Sequence, residues 1–452
     1  MWRDTNRRPP ERRGTARSQT ASRARRQGTL PCPAGRNHLP RVSPHCTPPA
    51  CIFWVRHAFS SPATDCCRGS TPSRLPLLLS CLAFAAAMLC LRTAVPLEHV
   101  VIHKDGVETH VSGKVLVTAK DGGILLLAPD GTLWTIPPEE QARRSRDEVP
   151  FAPLSSEELA EKLLGGLPPG FAIHRTQHYV VCYNTSRTYA QWCGALFERL
   201  YMAFHNYWTR KGLKLHDPPF PLCAIVFADE KNYLKYSRPV LGEAADSMIG
   251  YYHLMTNRMV MFDLTGRAGQ RGVSRAATVA AINESLSQGE SLRTVATIIH
   301  EATHQIAFNC GMHTRLSDTP LWLCEGVAIY FETPDLSSTK GWRGIGAVNG
   351  PRVAQWRDYL RRRPADSLVR LIEDDRRFRD ARQSLDAYAE AWLLTYFLIN
   401  QRSRPYLDYL TLVSAKPPLI EDGAEKRRAE FERHFGPIDK LDRDLLRYAR
   451  GL

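Results

Sequence analysis

The sequence has no C-x-x-C pair among its 12 cysteines, and it has no lysine anywhere in positions 1–74. The first absence leaves the cysteines without the spacing that zinc ribbons and thiol redox motifs use. Positions 1–74 are also poor in aliphatic side chains and rich in arginine, proline and serine. Such a composition excludes a packed core, so residues 1–74 are predicted to form a disordered tail.

Acidic residues are also scarce in this tail, which contains 14 arginines but only three acidic residues. The tail therefore holds +11 of the formal net charge of +14, and the rest of the chain, positions 75–452, holds only +3. This near balance argues against nucleic-acid binding, and no nucleic acid is expected as a partner. The alternative is that the arginine tail itself contacts nucleic acid or anionic lipid.

One long apolar run covers residues 75–91, directly after Arg74. This run is long for the core of a signal peptide and short for a membrane-spanning helix. In both cases the positive flank stays in the cytoplasm and the rest of the chain is exported. We therefore predict an extracytoplasmic protein that is either secreted or anchored in the membrane by an uncleaved 75–91 segment.

Residues 97–136 alternate short apolar runs with glycine turns such as Asp105-Gly106, Ser112-Gly113 and Asp130-Gly131. Asp-Gly between apolar runs is a strong hairpin signal, so this region is predicted to be a small antiparallel β module. Residues 137–155 are charged and contain proline, and they are predicted to be a linker.

Residues 156–452 form the remaining domain, and the whole fold is predicted to be α+β with a mostly helical C-terminal half. A long amphipathic helix is predicted over 187–211 and paired strands over 250–253 and 258–263. The edge of these strands could take up a substrate strand by backbone hydrogen bonds.

The segment His300-Glu301-Ala302-Thr303-His304 is the strongest motif in the chain. On a helix, positions i and i+4 share one face, so His300 and His304 can bind one zinc ion together. Glu301 then lies beside the metal, where a carboxylate can take a proton from a zinc-bound water.

Zinc requires a third protein ligand, and Glu325 on the next predicted helix is the first candidate. Asp318-Thr319-Pro320 is expected to begin that helix, with proline at its first position. Cys310, His313 and Asp318 remain as outside candidates. The metzincin pattern fails because it requires glycine at 307 and histidine at 310.

Cys310 and Cys324 flank the loop between the two motif helices. They could form a disulfide in an oxidising compartment, and the alternative is that both are buried free thiols.

The spacing from His304 to Glu325, with the surrounding P-L-W-L-C-E-G-V-A, resembles the gluzincins and in particular their aminopeptidase-like members. The resemblance implies Glu325 as the third zinc ligand. It also implies that Tyr388, in a Y-A-x-x-W context on a later helix, stabilises the oxyanion of peptide hydrolysis. Tyr396 is the competing tyrosine. Position 329 is isoleucine, so the thermolysin-like carboxylate that would support a ligating histidine is missing.

The chain from about residue 170 onward resembles an exported, little-characterised family of peptidase-MA-like proteins from planctomycete-type bacteria, mostly classed as a domain of unknown function. The residues that carry this resemblance are H-Y-V-V-C-Y-N-T-S at 178–186, H-E-A-T-H-Q at 300–305 and A-Y-A-E-A-W at 387–392. It implies a zincin-like catalytic domain over 156–452, with Zn2+ as cofactor.

The G-x-M-E-N segment with which aminopeptidases hold a free amino terminus is absent from the sequence. An endopeptidase acting on a peptide or protein substrate is therefore the expected function. The alternative is a catalytically inactive, zinc-stabilised binding module of the cell envelope.

Overall fold

The computed structural model describes residues 95–266, 278–287, 289–333, 336 and 342–452. The predicted tail (1–74) and the apolar run (75–91) lie outside these residues. Within the described part of the chain, no helix combines the length and apolarity needed to cross a membrane.

The described chain begins with a five-stranded antiparallel sheet, in the order β4-β3-β2-β1-β5. This sheet confirms the predicted antiparallel β structure at the N-terminal side. Its strands are β1 (Pro96–Lys104), β2 (Val107–Thr118), β3 (Ile124–Leu127), β4 (Leu133–Ile136) and β5 (Gln141–Pro150).

Two details of this β module differ from the predictions. Strand β2 runs straight through Ser112-Gly113, where a turn was expected. Glycine is needed there because a Cβ atom at position 113 would overlap with the carbonyl of Leu127 on β3. The predicted linker 137–155 is also wrong, since β5 lies within it and pairs with β1. Its charged residues are typical of an exposed sheet edge, which charge protects from pairing with other chains.

A second sheet of five strands has the order β6-β7-β8-β10-β9. Its strands are β6 (Ala172–Arg175), β7 (Tyr179–Tyr183), β8 (Leu222–Phe227), β9 (Gly250–His253) and β10 (Arg258–Phe262). Strands β7, β8 and β10 are parallel, while β6 and β9 are antiparallel strands at the two edges. The predicted pairing of 250–253 with the following strand is confirmed as the hairpin β9–β10.

All named elements from Gly289 onward are helices, which confirms a helical C-terminal half. The helices of the described chain are α1 (Ser156–Gly166), α2 (Arg187–Lys211), α3 (Glu230–Leu241), α4 (Val279–Leu286), α5 (Gly289–Asn309), α6 (Leu321–Phe331), α7 (Gly350–Leu360), α8 (Ser367–Glu373), α9 (Arg376–Arg379), α10 (Ser384–Gln401), α11 (Ser403–Ser414), α12 (Ala424–Phe435) and α13 (Ile438–Ala449). Helices α1, α2, α3 and α5 pack against the second sheet. The architecture is therefore α+β.

Helix α6 lies at the centre of the helical half, and every one of its residues is buried. It packs between α5 and α10. Gly326 permits the close approach of α10, because a Cβ atom at this position would overlap with the side chain of Thr395. Glu325 is the one charged residue of this apolar helix, so its carboxylate must find partners inside the protein.

The first backbone N–H of α6 has a different hydrogen-bond partner from the one that the sequence predicts. Pro320 is its N-cap residue, and the backbone N–H of Leu321 donates to Oδ1 of Asp375 at 2.9 Å. Asp318 does not cap the helix, because its carboxylate accepts from the guanidinium of Arg427 instead.

The β module contacts the turn of the β9–β10 hairpin directly. The guanidinium of Arg315 donates to the carbonyls of Gly131 and Leu254, at 2.8 and 3.0 Å. The N–H of Leu133 donates to the carbonyl of Met255 at 2.7 Å. These bonds attach the module to the loop that follows edge strand β9.

Candidate metal centre

His300 and His304 lie one turn apart on α5, and Glu325 faces them from α6. The Nε2 atoms of the two histidines are 3.0 Å apart. Oε2 of Glu325 lies 3.0 Å from Nε2 of His300 and 3.5 Å from Nε2 of His304. Among the described residues, these three form a group of side chains able to hold a metal ion.

The three atoms fit the geometry of a tetrahedral metal. With ligand bonds of about 2.0–2.2 Å, the ligand atoms of a tetrahedral site are about 3.3–3.6 Å apart. The observed separations of 3.0, 3.0 and 3.5 Å among His300, His304 and Glu325 come close to this. Two imidazoles and a carboxylate are also donors that divalent transition metals commonly use.

The pKa values of the three side chains also indicate that a positive charge is stabilised between them. Burial alone would lower the pKa of His300, but the carboxylates of Glu325 and Glu332 raise it to about 10. Burial would raise the pKa of Glu325, but the two histidines lower it to about 2. Burial lowers the pKa of His304. The protein groups alone therefore stabilise a cation between these side chains, either as a proton or as a metal ion.

Helix α5 holds the histidines on a rigid apolar base. Ile298, Ile299, Ala302 and Ile306 around the motif are fully buried. This arrangement follows from the apolar residues that alternate with the polar motif at helical spacing.

A carboxylate that the sequence analysis missed supports the first histidine. Oε1 of Glu332 lies 2.7 Å from Nδ1 of His300. An anion at this position favours a proton on Nδ1, which leaves the Nε2 lone pair available to a metal. Glu332 itself accepts from Asn349 at 3.3 Å and from Arg352 at 3.3 and 3.4 Å.

The sequence contained a signal for this residue. Glu332 lies two helical turns beyond Glu325 and therefore on the same helix face. One turn after Glu325 the sequence has Ile329, so the supporting carboxylate is found one turn later than in thermolysin-like proteins.

The second histidine has a thiol beside it. Sγ of Cys324 lies 3.3 Å from Nδ1 of His304. Cys324 and Cys310 are both free and buried, so the disulfide considered between them is not formed.

Glu301 lies beside the cluster and is bound to the edge strand of the sheet. Its Oε2 accepts from the backbone N–H of Tyr252 in β9 at 2.9 Å. The side chain is fully buried, and this burial raises the pKa of Glu301 to about 8. The carboxylate is thus oriented by α5 on one side and by β9 on the other.

Tyr388 lies in the second layer around the centre. It is 4% exposed, and its ring contacts the guanidinium of Arg352 at 5.6 Å from the ring centroid. Arg352 in turn binds Glu332, so Tyr388 is connected to His300 through two side chains. Tyr396 packs against Trp392 instead. The oxyanion role of Tyr388 stays a prediction.

The outside candidates for the third ligand do not belong to the group of side chains able to hold a metal ion. Asp318 is paired with Arg427. Cys310 is a buried thiol whose Sγ lies 3.8 Å from the carbonyl of Ala307. His313 is 2% exposed and packs against the ring of Phe308.

All four polar residues of the centre are closed off from solvent. His300 and Glu301 are 0% exposed, and His304 and Glu325 are 1% exposed. A substrate could reach them only after a movement of the surrounding chain.

A family model described as "Protein of unknown function (DUF1570)" matches residues 294–420 of this chain. The match includes His300, His304 and Glu325 as well as Glu332 and Tyr388. It supports the predicted domain of unknown function over that range. No curated protein and no solved structure gives a significant match.

Proposed function

We propose that this protein is a zinc-dependent peptide-bond hydrolase of gluzincin type, an endopeptidase that acts outside the cytoplasm. The observation that carries the proposal is the convergence of His300, His304 and Glu325 within 3.0–3.5 Å, with Glu301 beside them. The export of the domain is inferred from residues 75–91 alone.

His300, His304 and Glu325 would hold the ion, and Glu332 would keep the first histidine in the ligating tautomer. A bound zinc ion supplies Lewis acidity, which polarises a scissile carbonyl and makes water a nucleophile at neutral pH. The site offers nitrogen and oxygen donors, which zinc accepts readily.

Glu301 is the general base of the proposed reaction. Its carboxylate would lie beside the attacking water, and the N–H of Tyr252, which donates to Oε2, supports its orientation. Glu301 would take the proton of that water and then give it to the leaving amine. Tyr388 would donate a hydrogen bond to the oxyanion once it can approach the site.

Strand β9 supports a peptide as the substrate. It is an antiparallel edge strand that packs against α5, close to the metal centre. An extended peptide can add to such an edge through backbone hydrogen bonds. The N–H of Tyr252 already binds Glu301, so the peptide would use the neighbouring groups of the strand.

A second function is favoured by the burial of the centre. Side chains that are 0–1% exposed suit a structural ion that fastens α5 to α6. The chain would then be an inactive, zinc-stabilised binding module of the cell envelope.

Two measurements on the full-length protein test the proposal. Elemental analysis should find about one zinc per chain, and the Glu325→Ala variant should lose most of it. Hydrolysis of a denatured protein should be abolished by Glu301→Gln while the zinc content stays unchanged. A folded protein without zinc would refute the metal site itself. If wild type and Glu301→Gln hydrolyse the protein equally, or if both bind zinc and neither hydrolyses it, the proposed peptidase activity is refuted. The zinc would then have a structural role.

A further inference from the structure

A cavity of about 800 Å3 lies on the outer side of α2, away from the helix face that packs into the core. Arg199, Ala203, Asn206 and Arg210 follow one another at helical spacing and form its floor. We call this cavity, with its walls at Gln177 and at Trp342 and Ile345, the α2 groove. Its volume lies within the range of about 300–1,000 Å3 that is usual for ligand sites.

The α2 groove is positively charged. Arg199, Arg210 and Lys211 line it, and Glu198 is the one acidic residue in the lining. Among the described residues, no carboxylate forms an ion pair with Arg210 or Lys211.

Glu198 is bound to the β6–β7 turn at the end of the groove, where groups of that turn surround its carboxylate. Oε1 of Glu198 accepts from the hydroxyl of Thr176 and from the N–H of His178, both at 2.7 Å. Its Oε2 lies 2.7 Å from Nδ1 of His178.

Aromatic and apolar surfaces accompany the cations. The guanidinium of Arg199 lies 6.0 Å from the ring centroid of Trp342, and Nζ of Lys211 lies 5.3 Å from that of Tyr207. Met202 is 50% exposed. Tryptophan, tyrosine, methionine and arginine are the residue types that protein interfaces favour.

A hydrogen bond to α6 holds the side chain of Tyr207 in position. Its hydroxyl is hydrogen-bonded to that of Tyr330 on α6 at 2.8 Å. The Tyr207 ring is therefore held in place before any ligand arrives, which reduces the entropy cost of binding.

We propose that the α2 groove binds an acidic peptide segment that carries an apolar or aromatic side chain. The carboxylates would pair with Arg210 and Lys211, and the apolar side chain would lie between Met202 and Trp342. The amides of Gln177 and Asn206 suit the backbone of an extended peptide. A nucleic acid would instead require phosphate contacts along a longer basic stripe, and the chain after the tail carries a net charge of only +3. This binding requires neither the metal nor the proposed hydrolysis.

The test uses fluorescence anisotropy with the full-length protein and a short fluorescein-labelled peptide, rich in glutamate and with a single phenylalanine. The matched peptide has glutamine in place of glutamate. The acidic peptide should bind about tenfold more tightly than the glutamine peptide, and salt should weaken its binding. The double change Arg210→Glu with Lys211→Glu should weaken it by about tenfold or more.

The control is the double change Arg361→Glu with Arg404→Glu, which alters the net charge equally at side chains that are 83% and 80% exposed. It should leave binding unchanged. Asn206→Trp fills the groove at an exposed position without a change of charge, and it should also weaken binding. If circular dichroism shows that the Arg210 and Lys211 variant does not fold, the Asn206→Trp variant alone tests whether the peptide binds in the α2 groove.

Four results would overturn the proposal. One is equal affinity for the glutamate and glutamine peptides. Another is full affinity in a folded Asn206→Trp variant. The third is an equal loss of affinity in the Arg361 and Arg404 control. The fourth is tighter binding of a single-stranded oligonucleotide than of the acidic peptide.

Discussion

Nδ1 of His300 and Oε1 of Glu332 lie 2.7 Å apart, which links the first histidine of the motif to the residue that ends α6. This contact leads to the first prediction. Glu332→Gln removes the anion that keeps the imidazole in its ligating tautomer, so zinc affinity should fall by about 10–100-fold. Competition with a fluorescent zinc indicator measures it. Glu425→Gln on the exposed face of α12 is the matched control and should have no effect.

A second prediction concerns Tyr388. Tyr388→Phe removes one hydroxyl and keeps the ring against Arg352, so zinc content and folding should be retained. If the phenol stabilises the oxyanion, kcat for peptide hydrolysis should fall by about 100-fold or more. Tyr396→Phe is the comparison, and it should hydrolyse the peptide normally. A normal kcat for Tyr388→Phe would remove this residue from the mechanism.

The packing of α6 against α10 gives a third prediction. Gly326→Ala places a methyl group onto the side chain of Thr395, so the helices must separate slightly. We expect a loss of about 1–3 kcal/mol in the free energy of unfolding, measured by urea titration. The control is Gly165→Ala in α1, where nothing lies within 4 Å of the new methyl group. That change should be neutral or stabilising, since alanine favours a helix more than glycine does.

The fourth prediction is a pH dependence of stability that comes from His313. Burial, together with the positive charge of nearby His304, lowers the pKa of this imidazole to about 3 from its ordinary value of 6.5. Between pH 6.5 and pH 3 the unfolded chain therefore binds a proton that the folded chain does not, so stability falls as the pH falls through this window. At pH 5 the loss should be about 2 kcal/mol relative to neutral pH.

His313→Leu should flatten this dependence, because leucine suits the apolar contact with Phe308 and does not titrate. Urea titrations at pH 7.5 and pH 5 measure the difference between wild type and variant. His110→Leu removes a histidine whose side chain is 66% exposed, and it should leave the pH dependence as it is. An unchanged slope in His313→Leu would assign the acid sensitivity to other groups.

The features that the sequence predicted correctly are those that depend on the local spacing of residues. His300 and His304 share a helix face by spacing alone, and a short loop brings Glu325 to them. The Asp-Gly turns predicted most of the β module, because a tight turn is a local feature that fixes the pairing of its flanking strands.

The missed features depend on contacts between distant parts of the chain. The charged residues of β5 favour a loop when they are considered alone, and only the pairing with β1 makes this segment a strand. Glu332 lies on the same helix face as Glu325, but only its contact with His300 on α5 shows its role. The burial of the metal centre follows from the position of α6 between α5 and α10, which no single segment encodes.

The complete enclosure of His300, His304 and Glu325 determines when an ion can enter. Helices α5 and α6 close over the ligand atoms as they pack, so a metal ion would be acquired while the chain folds rather than after it. Exchange with free ions would then be as slow as the local opening of this helix pair. If the chain binds a metal as proposed, the supply of metal where it folds would decide how much of the protein reaches its loaded form.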